Sequence, residues 1–326
     1  MSNSNIKFFS DLSKNDVLIA GGKGASLGEM ISNKFPIPNG FVILSTAFDN
    51  FIEENGLTAD IDSILSKVNH NDVNSVENAS KQIQGIIKSV DLSKELEDEI
   101  KKDFKKLDCL YVAVRSSATS EDSADAAWAG QLDSYLNTTK ENLIEKVRSC
   151  WASLFTPRAI SYRFEKNLHD SHISVAVVVQ KMVQSDVSGI AFSVHPVTED
   201  YNQLIIEAGY GLGEAIVSGS ITPDSYVVLK DSMKIEDCYV AEQERKLIRT
   251  KNKAVEWVDV DLNEREKQKL SNDQINKLSK IIIDIENHYS FPCDIEWAIE
   301  KGVTYITQSR PITTLKPRNK ESRGDG

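Results

Sequence analysis

Asp294, Glu296, Gln308 and Arg310 have the types and spacing to hold a metal-bound phosphate, with hard oxygen ligands beside a guanidinium fork. They lie in two alternating runs on either side of Lys301-Gly302, the pattern of a β-hairpin. To act together they must share a face. Successive side chains alternate across a strand, so Ile295, Trp297 and Ile299 take one face while Asp294, Glu296 and Ala298 take the other. A two-residue loop sets Val303 and Tyr305 on the carboxylate face, whereas a three-residue loop with a left-handed Gly302 aligns them with Ile299 and Trp297. The apolar pattern selects the three-residue loop, which brings all four polar residues onto one face. The same residues also read as the wet side of an ordinary half-solvated hairpin.

Two further stretches have chemistry to offer. Ala20-Gly21-Gly22-Lys23-Gly24-Ala25-Ser26-Leu27-Gly28 runs straight into a helix, where exposed amides and Lys23 suit a phosphate, although such a turn is also plain punctuation. It lacks the spacing of a P-loop. The second is the apolar run Leu110-Tyr111-Val112-Ala113-Val114, which reads as a strand ending on Arg115 at the mouth of a small, hydroxyl-rich loop over residues 116–131. Such a loop packs little and offers many donors, as a lid over phosphates needs, or it is a surface loop beside an arginine.

The remaining elements must position these groups. Strands are expected at residues 6–9, 41–44, 132–136 and 173–183, and helices at about 140–154 and 157–167, with Trp151, Leu154 and Phe155 in the core. Ser45 and Thr46 suit a helix cap. Residues 58–107 carry helical apolar spacing at Ile61, Ile64, Leu65 and Val68, then Ile83, Ile86 and Ile87, and read as a solvated helical insert. The strand that turns polar at Gln180-Lys181 closes a first lobe, residues 1–183; a second lobe covers 184–315, and 316–326 is expected to be a disordered tail or linker. Within the second lobe, strands are expected near 187–194, 204–207, 225–230 and 246–249, then a helix near 272–288. Gly209-Tyr210-Gly211-Leu212-Gly213 is too weak a match for a dinucleotide fingerprint.

A formal charge of −11 argues against a general nucleic-acid binder. Cys109, Cys150, Cys238 and Cys293 are far apart and read as reduced, mostly buried thiols rather than a zinc or disulfide framework. No apolar run approaches the roughly 20 residues of a membrane span, and the polar amino terminus has no signal pattern, so the expected location is cytoplasmic.

Gly21-Gly22-Lys23-Gly24-Ala25-Ser26-Leu27-Gly28-Glu29-Met30, Val114-Arg115-Ser116-Ser117-Ala118-Thr119-Ser120-Glu121-Asp122, Ala129-Gly130-Gln131, Gly211-Leu212-Gly213-Glu214, Asp294-Ile295-Glu296-Trp297 and Gln308-Ser309-Arg310-Pro311 occur in that order. Together they resemble the ATP-binding domain shared by phosphoenolpyruvate synthase, pyruvate phosphate dikinase and rifampin phosphotransferase. The resemblance implies an α+β, two-lobed ATP-grasp fold with the nucleotide cleft between the lobes. It implies that Lys23 and Arg115 hold ATP phosphates, that Gly130 and Ser134 lie by the same nucleotide, and that Gln180 sits at the adenine-binding hinge. Glu296 and Gln308 match the family's magnesium ligands, with Asp294 nearby, and Arg310 matches its phosphate-binding arginine; Arg115 and Arg310 are the catalytic candidates.

In this family ATP yields AMP and phosphate, and the β-phosphoryl group passes to a histidine on a separate swivelling domain. None of His70, His169, His172, His195 and His288 sits in such a carrier motif, and His195 reads best as a local turn or core residue. The implied partners are therefore a histidine-bearing domain and an acceptor-binding domain, in cis or in trans, with ATP and Mg2+ as cofactors. Gly24, Trp128 and Leu132 stand where relatives often carry Asn, Phe and Gln, which leaves the loop contacts open. The acceptor is pyruvate in the leading reading and an antibiotic hydroxyl in the alternative. An ATP-grasp ligase and a non-catalytic nucleotide sensor are the competing classes.

Overall fold

The computed structural model describes residues 4–119, 133–168, 173–250, 255–312 and 315. Residues of the expected lid from 120 onward, Gly130, Trp128, Leu132, His169, His172 and the tail 316–326 lie outside them. The chain forms two compact units, Met1–Met182 and Val183–Gly326. Helix and antiparallel sheet are mixed in the first and sheet dominates the second, an α+β protein.

The first unit comprises β1 (Ile6–Phe8), α1 (Val17–Ser32), β2 (Gly40–Ile43), α2 (Ser45–Glu54), α3 (Leu57–Leu65), α4 (Val73–Ser89), α5 (Lys94–Lys106), β3 (Val112–Ala118), β4 (Ser134–Thr138), α6 (Leu143–Ala152), α7 (Pro157–Glu165) and β5 (Val175–Lys181). The sheet order is β1-β2-β5-β3-β4, with every neighbouring pair antiparallel. β5, Val-Ala-Val-Val-Val-Gln-Lys, is apolar on both faces because both are covered. Val175, Val177 and Val179 point with Val112 and Val114 into the helical layer, where Trp151 packs on Phe51 at 4.9 Å between ring centres. Residues 58–107 are helical, but they are no solvated appendage. Ile83, Ile87 and Ile100 are fully buried in this same core, because each amphipathic helix turns its apolar stripe inward.

Two local expectations are corrected. β3 does not end on Arg115 but runs on to Ala118, since Ser116 and Ser117 find buried partners and need no solvent. Ser116 Oγ lies 2.8 Å from Ser153 Oγ, and Ser117 Oγ accepts from Gly24 N at 3.3 Å. Ser45 does not cap α2; its hydroxyl donates to the Leu18 carbonyl at 3.0 Å. The glycines of α1 do more than punctuate. Gly21 breaks the helix at φ 67°, and a Cβ there would stand 2.2 Å from Ser117 Oγ, so its absence lets α1 lie close on β3.

The second unit comprises β6 (Val187–Phe192), β7 (Gln203–Tyr210), α8 (Glu214–Val217), β8 (Asp224–Leu229), β9 (Ile235–Tyr239), β10 (Arg245–Arg249), β11 (Val255–Asp259), α9 (Asn272–Tyr289), β12 (Cys293–Glu300) and β13 (Val303–Pro311). Its main sheet runs β13-β12-β6-β7-β8-β9, all antiparallel, and β10 pairs with β11 as a separate hairpin. α9 packs beside β12 and buries Ile275, Leu278, Ile282 and Ile285. Ile295, Trp297, Ile299 and Ile306 are buried on the strands, while the residues between them are mostly half-exposed. The chain leading into α9 is fastened by a fully buried ion pair, Lys269 Nζ to Asp224 Oδ1 at 2.9 Å, and Tyr226 OH donates to the other carboxylate oxygen at 2.6 Å. Of the four thiols, Cys150 and Cys293 are buried and Cys109 is half-buried, but Cys238 is exposed.

Candidate functional site

In the first unit, register decides which side chains gather. Ala113 stands opposite Gln180 and Arg115 opposite Val178 on one side and Ser134 on the other. Directly paired residues share a face, so Arg115, Ser134 and Gln180 lie together on the face of the sheet that α1 covers. Arg115 Nη1 donates to Gln180 Oε1 at 3.0 Å, and Gln180 Nε2 donates to the Pro38 carbonyl at 3.3 Å. Gln180 is only 2% exposed, so its amide is locked at both ends and holds one nitrogen of the guanidinium. α1 rests on this face through Gly21 and Gly24, and carries Lys23 between them. Lys23, Arg115, Ser134 and Gln180 are thus brought to one side of one sheet.

In the second unit, the turn contradicts the expected three-residue loop. Glu300 pairs with Val303, leaving the two residues Lys301 (φ 49°) and Gly302 (φ 80°), both left-handed, as a primed hairpin turn needs. Val303 and Tyr305 therefore do stand on the carboxylate side, Tyr305 opposite Ala298. Continued without interruption, that register would send Gln308 and Arg310 into the core. A bulge prevents it. Between Trp297↔Ile306 and Glu296↔Gln308 the strand β13 carries one extra residue, Thr307, whose hydroxyl donates to the Glu296 carbonyl at 3.2 Å. Parity is reset, and Glu296 faces Gln308 while Asp294 faces Arg310. The shared face of the four residues is right, and the loop from which it was argued is not.

Arg310 holds Asp294 with Nε at 2.8 Å and Nη2 at 2.7 Å, both to Oδ2. No group of three or more His, Cys, Asp or Glu side chains that suits a metal ion occurs among the described residues. Glu296 and Gln308 offer two hard oxygen donors side by side on a half-exposed face, a donor set whose chemistry suits magnesium.

A model of the family described as "Pyruvate phosphate dikinase, AMP/ATP-binding domain" matches residues 17–325. This chain belongs to that family. A probable phosphoenolpyruvate synthase of Methanocaldococcus jannaschii is 44% identical over 325 residues, 98% of this chain and 27% of that protein. The phosphoenolpyruvate synthase of Pyrococcus furiosus is 39% identical, with 95% of this chain and 44% of that protein aligned. A rifampicin phosphotransferase of Bacillus cereus is 36% identical over 95% of this chain and 36% of its own length. The chain therefore spans less than half the length of these relatives. A solved D-alanine–D-alanine ligase of Helicobacter pylori aligns with 73% of this chain and 54% of its own at 10% identity and a TM-score of 0.31, too slight a likeness to carry an argument.

Within this AMP/ATP-binding family member, the described histidines are engaged locally. His195 Nδ1 accepts from the amides of Val197 and Thr198, each at 3.2 Å, as a turn residue does. The His70 ring stacks on Phe164 at 3.7 Å, and His288 packs edge-on against Tyr289. Burial pushes the Cys150 and Cys293 thiols up to about 12, so neither is a thiolate nucleophile at neutral pH. No helix among the described residues is long and apolar enough to cross a membrane. Reasoning from sequence missed the bulge at Thr307 and the Gln180 bond to Arg115; the first had a signal, since only an extra residue reconciles a Lys-Gly turn with Gln308 beside Glu296.

Proposed function

We propose that this chain is the ATP-binding part of a phosphoenolpyruvate synthase-like dikinase, with an ATP-grasp arrangement in which the two units serve one nucleotide. The observation that carries this reading is the pair of facing couples Glu296/Gln308 and Asp294/Arg310 on one half-exposed face, within a chain of this family. Lys23 and Arg115 hold the phosphates. Ser134, and Gly130 outside the described residues, lie by the same nucleotide. Gln180 marks the adenine end and also orients Arg115. Glu296 and Gln308 hold magnesium, which when bound neutralises the triphosphate and aligns it for transfer.

What the residues contribute is positioning and electrostatics. Arg310 exchanges its hold on Asp294 for a phosphate oxygen, a trade of one anion for another that costs little on an exposed side chain. Transfer still needs a nucleophile. An imidazole nitrogen on a histidine-bearing domain attacks the β-phosphorus and AMP leaves; water then cleaves the β–γ bond, so that inorganic phosphate departs and the β-phosphoryl group stays on the histidine. The final acceptor is pyruvate; the rifampicin phosphotransferase relative supports an antibiotic hydroxyl as the second reading. The test uses β-labelled ATP and magnesium, with and without the histidine-bearing part of a full-length relative. AMP release and label on that part support the proposal. ADP formed with a carboxylate and an amine indicates a ligase, and the absence of turnover indicates a nucleotide sensor. Rapid, stable labelling of this chain alone sinks the need for a carrier.

A further inference from the structure

Of the carboxylates on the half-exposed face of the second unit that the site above leaves unused, Glu207 is the one in the same cross-strand row as Glu296 and Gln308. Glu207 on β7 stands opposite Ile190 on β6; Ile190 stands opposite Glu296 on β12, and Glu296 opposite Gln308 on β13. Because direct partners share a face, these four side chains form one row across the sheet, which continues to Ser225 on β8. Glu207 and Glu296 are two strand spacings apart, on the order of 10 Å between Cα atoms. Ile190 lies between them and Ile205 precedes Glu207 by two residues on the same face, both half-buried.

A carboxylate in such a place is unusual. Burial raises the pKa of Glu207, and no neighbouring cation or hydrogen-bond donor among the described residues offsets that rise. With no donor from the fold beside it, this half-buried carboxylate is open to donors from a ligand lying on the face. An ionised carboxyl presents two acceptor oxygens and no donor, which matches a pair of adjacent hydroxyl groups. A divalent cation fits less well, since Glu207 is separated from Glu296 by an aliphatic residue and would be a lone ligand. If the metal-bound phosphates lie at Glu296 and Gln308, the next group along the row is the one joined to those phosphates.

We propose that Glu207 accepts hydrogen bonds from the ribose hydroxyls of the bound nucleotide and makes this face selective for ribonucleotides. The proposal rests on the ATP-binding reading above and assigns the sugar end of the same ligand. Carboxylates read ribose hydroxyls in the same way in other nucleotide sites. Glu207 is a specificity residue here, with no part in the transfer step.

The test is calorimetric titration of the chain with ATP, 2′-deoxy-ATP and 3′-deoxy-ATP in excess magnesium, for the wild type, Glu207→Ala and Glu207→Gln. The wild type should prefer ATP to the deoxy analogues by roughly tenfold, the worth of a hydrogen bond to a charged group at the low end of its range. In Glu207→Ala, ATP should weaken by that factor, the deoxy analogues should hardly change, and the preference should vanish. Glu207→Gln, which keeps one acceptor oxygen, should retain part of it. Thermal stability should not fall in either variant, because an unpaired half-buried charge is being removed. Equal weakening of all three nucleotides, or a preference that survives in Glu207→Ala, overturns the assignment while leaving ATP binding intact. A wild-type chain that binds none of them sinks the ATP reading and this inference with it.

Discussion

The two arginines assigned to phosphate are held in opposite ways. Arg115 lies on an inner strand, between β5 and β4, and donates to Gln180, whose amide is itself anchored to Pro38. Arg310 lies on β13 at the end of its sheet, with a side chain 54% exposed, and is aimed by the carboxylate of Asp294. One guanidinium donates to a neutral amide that is itself fixed within the fold. The other is set by a surface ion pair, worth about 0.2–1 kcal/mol, which a phosphate can replace. The difference teaches that a preorganised contact and an exchangeable one can use the same side chain, and that only the first should be coupled to folding.

The largest effect should come from changing the parity of β13. Deleting Ser309 moves Arg310 opposite the fully buried Ile295, which puts a guanidinium among aliphatic side chains. ATP binding should be lost and urea denaturation should show a loss of at least about 3 kcal/mol. Deleting Thr307 removes a residue from the same strand but only straightens the bulge, leaving Gln308 opposite Glu296. That variant should still bind ATP. If both deletions bind equally well, the bulge does not set the face.

Next in size is the contrast between adjacent residues of β12. Trp297 is 1% exposed and its indole nitrogen donates to the Ile190 carbonyl at 3.2 Å, so Trp297→Ala should cost about 3–5 kcal/mol. Glu296→Ala, one residue away on the half-exposed face, should stay within about 0.5 kcal/mol while weakening ATP–magnesium binding. Denaturation midpoints and nucleotide titrations on the two variants provide the check, and equal destabilisation by both would break the assignment of faces.

How much of this was legible in the sequence follows from the range of the forces involved. Alternation along residues 294–300 and the apolar run of β5 gave both strands, because a two-residue period is a local property. The hairpin turn was misread because Val303 and Tyr305 look like core residues, yet Val303 is 52% exposed. Hydrophobicity alone cannot distinguish a register that is apolar at the turn from one reset by a bulge further on. The end of β3 was misplaced for a related reason. Ser116 and Ser117 are polar by type, but their partners Ser153 and Gly24 are distant in sequence, so nothing local marks them as buried. Gln180 had the same problem, since its bond to Arg115 crosses 65 residues of chain.

Gln180→Ala sharpens the comparison from the packed side. The substitution removes the donor to the Pro38 carbonyl and one acceptor of the Arg115 guanidinium, in a place where water has little access. Unmade buried hydrogen bonds of this kind cost about 1–3 kcal/mol. Stability and ATP affinity should therefore fall together, as read by thermal melts and titration of one preparation. A loss of affinity with stability unchanged would mean that Arg115 is as exchangeable as Arg310.

The smallest effect should come from Asp294→Asn, which loosens Arg310 without touching the core. Solvent reaches this ion pair from the Arg310 side, which is 54% exposed against 14% for Asp294, so stability should change by less than about 1 kcal/mol. Ligand binding should respond differently, because the carboxylate both occupies the guanidinium and repels an incoming polyanion. Removing its charge should tighten ATP measured without magnesium, and the gain should shrink as salt is raised past about 0.15 M, where the Debye length falls to about 8 Å. With magnesium present the effect should be smaller, since the metal already offsets the triphosphate charge. The paired measurement is a salt series of ATP titrations on wild type and variant, with and without magnesium. A stability loss above about 2 kcal/mol would show that Asp294 anchors the strand, and Arg310 would then be as much a part of the fold as Arg115.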